Sequence, residues 1–263
     1  MAITELDKQP DAVSSVLKVF GILQALGEEQ EVGITDLSQR VLMSKSTVYR
    51  FLQTMKSLGY VSQESDSEKY SLTLKLFELG AKSLPNADLV RIADIQMREL
   101  SKLTKETIHL GSFDEDSIIY IHKIDSMYSL RMYSRVGRRN PLHTTAIGKV
   151  LLAWMDKNDV REILERIEFI KITSNTVESK DKLISQLAAI HQQGYGEDNE
   201  EQEEGIRCIA VPVFDRFGFV IAGLSLSFPT IRFSEDKKDE YVDMLHKSAR
   251  AISERIGYHD YPF

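Results

Sequence analysis

The chain has 263 residues, 42% of them hydrophobic, a formal net charge of −7 and a single cysteine. That length and apolar content allow one large core or two modest ones, the acidic balance argues against a general polyanion-binding surface, and lone Cys208 excludes an intramolecular disulfide framework and fits a reducing compartment. No apolar run approaches about 18 residues and the start is polar (Glu5, Asp7, Lys8), so the expectation is a cytoplasmic protein with no signal peptide, no metal or other cofactor and no membrane partner.

Residues 1–12 are polar and expected to be flexible. Ser14 or Ser15 then opens a helix with Val13, Val16, Leu17, Phe20 and Leu23 on one side. Val19, Ile22 and Leu26 form a second apolar stripe that either extends the core or meets another subunit. Gly27 and Glu28, Glu29 and Glu31 make a loop, Thr35 or Asp36 starts a short helix with Leu37 and Val41 inward, and Leu42-Met43-Ser44 is a turn. Residues 44–59 read as a longer helix, with Ser44 as N-cap and Gly59 just past the end. At about 100° per residue, Val48, Phe51, Leu52, Met55 and Leu58 share one side, while Ser46, Thr47, Arg50, Gln53, Thr54 and Ser57 share the other, which carries no acid. Tyr60–Gln63 and Lys69–Leu72, across a turn at 64–67, form a β-hairpin. Short helix, turn, polar-faced helix and hairpin together predict a winged helix-turn-helix DNA-binding domain over 13–73. Its expected DNA-binding residues are Thr35, Lys45, Ser46, Thr47, Tyr49, Arg50, Gln53 and Lys56. Since the first 80 residues hold 8 Lys+Arg against 11 Asp+Glu, the attractive field must be local and DNA binding salt-sensitive.

Residues 74–88 form an apolar linker (Leu74, Leu76, Phe77, Leu79, Leu84) interrupted at Pro85-Asn86, too greasy for a free tether and expected to pack on a second copy. Residues 89–263 make the second domain. A helix from about Ala87 to Lys105 buries Leu89, Ile92, Leu100 and Leu103. Strands are expected at 107–113, 117–123, 128–136, 207–214 and 219–227, and helices at 144–155, 157–167, 178–193 and from about Ser234 to Ile256. Hairpins segregated from helices indicate an α+β sensor-like domain with an antiparallel sheet.

Two stretches of this domain are unusual. In Arg138-Arg139-Asn140-Pro141-Leu142-His143-Thr144-Thr145-Ala146-Ile147-Gly148-Lys149 a basic loop runs into a helix start of small and hydroxyl residues, where unpaired backbone N–H groups form an anion site; a plain capped helix is the alternative. Gly194–Cys208 is an acid-dense loop from which Asp198 can fold over the sheet and accept hydroxyl hydrogen bonds. Cys208 and Ala210 share one strand face, as do Ser225 and Ser227 on the next strand. Together they outline a pocket for a small hydroxylated acid. An enzyme with Cys208 as nucleophile and His143 or His122 as base lacks an orienting group, and His109, His122 and His143 match no metal-ligand spacing, so neither catalysis nor a metal is expected.

The winged head with Ser44-Lys-Ser-Thr-Val-Tyr-Arg-Phe-Leu, the run Thr145-Ala-Ile-Gly-Lys-Val-Leu-Leu-Ala, and Gly194-Tyr-Gly-Glu-Asp-Asn-Glu-Glu followed by Gly205-Ile-Arg-Cys-Ile-Ala-Val-Pro-Val-Phe-Asp resemble the IclR family of bacterial transcriptional regulators over essentially the whole chain. The resemblance implies a winged head, a linker helix and a GAF-like effector-binding domain, acting as dimers or tetramers on a near-palindromic double-stranded operator. By motif position it puts the ligand pocket on Met132, Thr145, Ala146, Ile147, Asp198, Ile206, Cys208, Ser225 and Ser227. Asp11–Gly27 and the ending Gly257-Tyr-His-Asp-Tyr-Pro-Phe are more narrowly similar to a member that represses pectin and hexuronate breakdown genes and is released by 2-keto-3-deoxygluconate. The alternative is a regulator of the same architecture that answers to a different small keto or aromatic acid, or that activates.

Overall fold

The computed structural model describes residues 13–29, 31–64, 68–83 and 87–263. The expected flexible start, the hairpin tip at 65–67 and the Pro85-Asn86 break lie outside them. The chain divides into two compact units, one ending at Ala87 and one running from Asp88 to Phe263.

The first unit contains α1 (Ser14–Gly27), α2 (Ile34–Arg40), α3 (Lys45–Ser57), β1 (Val61–Gln63), β2 (Tyr70–Leu72) and α4 (Leu74–Ser83). Ile22, Leu26, Leu37, Val48, Leu52 and Met55 meet in its core. The two stripes of α1 are used in the reverse of the expected order. Gly21, Ile22, Ala25 and Leu26 are buried, whereas Val13, Val16 and Phe20 are exposed. Both stripes are apolar, but only the first has small residues beside its large ones, and these let a neighbouring element approach closely. Helix α2 begins at Ile34 with Gly33 at the N-cap and no side-chain cap, not at Thr35 or Asp36. Asp36 lies in its first turn and pairs with Arg40 one turn on at 2.7 Å. The hairpin pairs as expected, Val61 opposite Leu72 and Gln63 opposite Tyr70. Val32 adds a bridge to Tyr70, each N–H reaching the other's carbonyl at 2.9 Å. The apolar connector is a helix, α4, on which Leu74, Phe77 and Leu79 are exposed.

The second unit contains α5 (Ala87–Thr104), β3 (Thr107–Asp114), β4 (Ser117–Ile124), β5 (Arg139–Pro141), α6 (Ala146–Ala153), α7 (Lys157–Arg166), α8 (Lys180–Gln193), β6 (Gly196–Asn199), β7 (Ile206–Phe214), β8 (Val220–Pro229) and α9 (Lys238–Ile256). The strands form one antiparallel sheet in the order β5-β4-β3-β8-β7-β6. Alternate side chains of the central strands enter two cores. Ile108, Leu110, Ile209, Val211, Leu224 and Leu226 pack with Met97 and Leu100 of α5 and Leu245 and Ile252 of α9. On the opposite face Ile118, Tyr120, Cys208 and Ala210 meet Ile147, Val150 and Leu151 of α6, Leu164 of α7 and Leu183 and Leu187 of α8. A sheet covered on both sides keeps each fully buried aliphatic side chain out of water, worth roughly 1.5–3 kcal/mol apiece.

Several expected details change. Leu58 and Leu103 are exposed, because each lies at a helix end beyond the last contact of its apolar stripe. Residues 128–136 form no strand, and pairing with the outer edge of β4 is confined to Arg139–Pro141 against Ser117–Ile119. The acid-dense stretch contains the edge strand β6, with Asp198 opposite Cys208. The last helix starts at Lys238, after short 3-10 turns at Thr230–Arg232 and Glu235–Lys237. Among the described residues no helix is long and apolar enough to cross a membrane.

Candidate functional site

Helix α3 offers the first unit's polar surface. Ser44 caps it, its hydroxyl accepting the Thr47 N–H at 3.3 Å and lying 2.8 Å from the Thr47 hydroxyl and 3.1 Å from that of Ser46. Val48, Leu52 and Met55 anchor the inner face, so Lys45, Ser46, Tyr49, Arg50 and Thr54 point outward and Thr47 and Gln53 lie half-buried at the flank. Arg50 has no ion pair or side-chain hydrogen bond among the described residues, and Thr35 on α2 is exposed. Two of the expected DNA contacts are engaged with the hairpin instead. Lys56 Nζ donates to Gln63 Oε1 at 3.0 Å, and Gln53 hydrogen-bonds the Tyr70 hydroxyl. These bonds brace the helix against the wing. The acids of the loop before α2 are tied up elsewhere, with Arg40 holding Glu29 at 2.5 Å as well as Asp36.

The second unit's site is built on the α6 face of the sheet. Strand pairing sets Asp198, Cys208, Ser227 and Thr107 in one cross-strand row and Ala210, Ser225 and His109 in the next. All are buried, and so are Met132 and Ile206. Burying this many polar groups costs free energy unless they partner one another. The Cys208 thiol donates to Ser227 Oγ at 3.2 Å, the Ser227 hydroxyl lies 3.3 Å from His109 Nδ1, and His109 Nε2 lies 2.6 Å from Ser134 Oγ. One proton arrangement satisfies the series: Ser227 donates to Nδ1 and Nε2–H donates to Ser134. Burial holds the imidazole neutral, lowering its pKa to about 3, and raises the Cys208 thiol. The His109 ring stacks on Tyr120 at 4.3 Å. Thr107 Oγ1, opposite Ser227, has no hydrogen-bond partner among the described residues.

Asp198 is lifted to about 7, first by burial, against the N–H groups of Glu201 and Gln202, which donate to its Oδ1 at 2.8 and 3.3 Å. The segment that carries it is locked to α6. Buried Lys149 donates to Glu201 Oε1 at 2.6 Å, and the Thr173 and Thr176 hydroxyls donate to the Glu200 and Glu201 carbonyls at 2.6 and 2.8 Å. Glu197 pairs outward with Arg207 and Lys238. The acid run is therefore divided: Asp198 and Glu201 lie in the interior, Glu203 and Glu204 are exposed, and Glu197 and Glu200 are half-buried between them.

At the start of α6, Thr145 is the N-cap, its hydroxyl accepting the Gly148 N–H at 3.1 Å and donating to the Pro141 carbonyl. The expected anion site shrinks to the N–H groups of Ala146 and Ile147. Arg139 turns away to Asp114, and Arg138 donates to the Tyr133 carbonyl. A Cβ on Gly148 would overlap the Leu142 carbonyl, so the helix start sits directly on the preceding backbone. Ile147 fills the space over Gly111 and Gly223, where a Cβ on either would lie 3.2 or 2.9 Å from its side chain.

The three histidines weighed as a metal set have separate partners: His109 the two serines, His122 Asp94 at 2.9 Å, and His143 the Ile170 carbonyl. Cys208 touches neither His122 nor His143 in any described hydrogen bond; its neighbours are Ser227 and Asp198. That His109, Thr107 and Ser134 belong to this buried polar row escaped the sequence reading. His109 and Thr107 share the two-residue period that singled out Ser225 and Ser227, and that was the available signal. Nothing marked Ser134, whose segment reads as a strand.

Residues 15–65 match the model of the IclR helix-turn-helix domain and residues 81–254 that of the bacterial transcriptional regulator IclR C-terminal domain. The chain is 78% identical over 263 residues to the HTH-type transcriptional regulator KdgR of Dickeya chrysanthemi, covering 100% of this chain and 86% of that protein. It is 74% identical over 263 residues to the HTH-type transcriptional regulator KdgR of Escherichia coli K12, covering 100% of both. Among solved structures, the C-terminal domain of E. coli KdgR matches with TM-score 0.61 and 65% identity over 65% of this chain and 99% of that one. The Thermotoga maritima IclR matches with TM-score 0.80 and 33% identity over 93% and 99%.

Proposed function

The chain belongs to the IclR family and is a DNA-binding transcriptional regulator, and from that premise we propose that it represses genes of pectin and hexuronate breakdown and leaves its operators when 2-keto-3-deoxygluconate binds the second unit. Two copies set their α3 helices in successive major grooves of a near-palindromic operator. Arg50, Ser46 and Thr47 lie nearest the base edges, Lys45 positions the helix on phosphates, and the wing, braced through Lys56 and Gln53, lies beside the backbone. The observation that carries this half is the acid-free outer face of α3, with Arg50 uncommitted among the described residues, in a chain of net charge −7. Arg50→Ala is expected to weaken specific operator binding by roughly 1–3 kcal/mol and to relax base preference, read by titration of specific and random duplex. An unchanged specific-to-random ratio removes Arg50 from base reading.

The sugar acid places its carboxylate at the Ala146 and Ile147 N–H groups and its hydroxyls at Asp198, Ser225 and Ser227. The Asp198 carboxyl and the hydroxyl row suit a polyol, and the choice of 2-keto-3-deoxygluconate follows the sequence resemblance described above. Release requires the ligand to prefer the form that does not fit the operator, with a coupling of about 1–3 kcal/mol. Operator binding with and without 2-keto-3-deoxygluconate tests the whole reading. Wild type is expected to lose affinity by five- to 150-fold, and a Ser225→Ala, Ser227→Ala double variant to stay on the operator. Normal release of the double variant refutes the pocket.

A further inference from the structure

The polar row on the sheet does not end on the sheet. Its last member, Ser134, belongs to the irregular segment between β4 and β5, and the structure of that segment is unusual. Met127, Tyr128, Leu130, Tyr133 and Val136 are all exposed, while Met132 and Ser134 are turned inward. No strand pairing holds residues 127–136. Its ties are side-chain contacts and isolated bonds instead of a ladder. At its start Met127 N–H donates to the Lys105 carbonyl at 2.9 Å and Tyr128 N–H to Ser126 Oγ at 3.1 Å, the Arg232 guanidinium lies 4.5 Å from the Tyr128 ring and Arg131 pairs with Asp125 at 3.8 Å, and at its end Arg138 donates to the Arg135 and Tyr133 carbonyls at 3.2 and 3.3 Å. Between them Ser134 is held twice, by Lys123 Nζ donating to its carbonyl at 2.5 Å and by its hydroxyl lying 2.6 Å from His109 Nε2. The second bond is the segment's link to the buried row.

His109 is placed to be contested. A neutral imidazole has one N–H, and its other nitrogen is already engaged by Ser227. A ligand lying on Ser225 and Ser227 lies on the row to which His109 belongs, Ser225 being its direct cross-strand partner, and on the row beside it. Met132, two residues from Ser134, is buried against the same apolar cluster as Cys208 and Ile147, so a ligand there sits beneath the segment. The sheet residues cannot move aside without breaking ladder hydrogen bonds. Ser134 can, because its segment has none.

We propose that a bound sugar acid takes the His109 Nε2–H with one of its own oxygens, displaces Ser134 and frees the Met127–Val136 segment, so that occupancy of the pocket is passed to the surface of this unit. This rests on the pocket reading above and adds to it a specificity-determining residue, His109, and the element that carries the signal. The ligand class follows from the chemistry: the displacing group must accept a hydrogen bond from a neutral N–H, as a hydroxyl, keto or carboxylate oxygen does and a methyl does not.

Arg131 and Arg135 within the segment make it a tryptic substrate once it is free. Limited trypsinolysis of the full chain, with cleavage after these two residues followed by mass, is expected to accelerate at least about tenfold on saturation with 2-keto-3-deoxygluconate. Ser134→Ala, a change outside the regular elements, is expected to cut at the fast rate without ligand. It is also expected to bind 2-keto-3-deoxygluconate about fivefold tighter, one neutral hydrogen bond no longer competing. His109→Phe keeps the ring stack on Tyr120 and is expected to abolish the ligand-dependent change. Ligand binding to wild type without faster cleavage in 127–136, or a Ser134→Ala affinity equal to or below wild type, overturns this inference and leaves the pocket standing. Absence of any binding to wild type, or full binding by the Ser225→Ala, Ser227→Ala variant, overturns the pocket and this inference with it.

Discussion

Lys149→Met is expected to destabilise the second unit by about 3–5 kcal/mol at pH 7, because it leaves the Glu201 carboxylate buried without its counter-charge. Lys149 is 2% exposed and Glu201 8%, so water does not fill the gap as it would at a surface pair. Methionine keeps most of the lysine stem's apolar length, which confines the loss largely to the charge. A second change, Glu201→Gln, is expected to recover much of the loss, since it removes the orphaned charge and keeps an acceptor for the Asn199 N–H. Urea unfolding followed by the fluorescence of Trp154, the single tryptophan, reports on this unit, because its ring packs on His191, Phe214 and Phe263. A loss below about 1 kcal/mol for the single variant would show the pair to be solvated.

Asp198 carries the second large effect, and its sign follows from linkage. Its pKa is about 7 in the folded chain against an ordinary 3.8, so the folded state binds a proton more tightly than the unfolded one. Stability is then lost as pH rises from about 4 through 7 and is flat above, by roughly 4 kcal/mol at about 1.4 kcal/mol per pH unit. His109 and His246, lowered by burial to about 3 and about 4, act in the opposite direction and lose stability as pH falls below the ordinary histidine value. The wild-type profile alone therefore mixes opposing trends. Asp198→Asn keeps an oxygen for the Glu201 and Gln202 N–H groups, and the difference between variant and wild type isolates the carboxyl. The variant is expected near parity at pH 4 and more stable by roughly 3–4 kcal/mol at pH 8. A gap that does not change with pH would mean that Asp198 is ionised in the folded state.

What the sequence disclosed and what it concealed divide along the range of the interactions involved. Helix α3 was readable because its signals are local: the Ser44 cap, the Gly59 stop and a buried period at Val48, Leu52 and Met55 all lie within sixteen residues. Helix α1 was readable as a helix but not as to its inner face, since Phe20 and Ile22 are equally apolar and α2 and α3 choose between them. The strand expected at 128–136 had the right alternation, yet only Arg139–Pro141 pairs with the edge of β4. Strand β6 was hidden by its acids, because composition does not reveal that Asp198 and Glu201 turn inward to Cys208 and Lys149 while Glu197 turns out. The rows through Ser225, Ser227 and Cys208 followed from the two-residue period. That His109 closes them required the register of β3 on β8, a contact across more than a hundred residues.

The packing of Ile147 over Gly111 and Gly223 has a consequence for how such a regulator changes its ligand. Two glycines and one side chain act as a depth stop on a floor otherwise made of fixed backbone, separate from the hydroxyl row. In the ligand site proposed above, shortening Ile147 is expected to open space over the two glycines while leaving the hydroxyl row in place. On that proposal, the length and the polarity of the ligand fall to different parts of the same face.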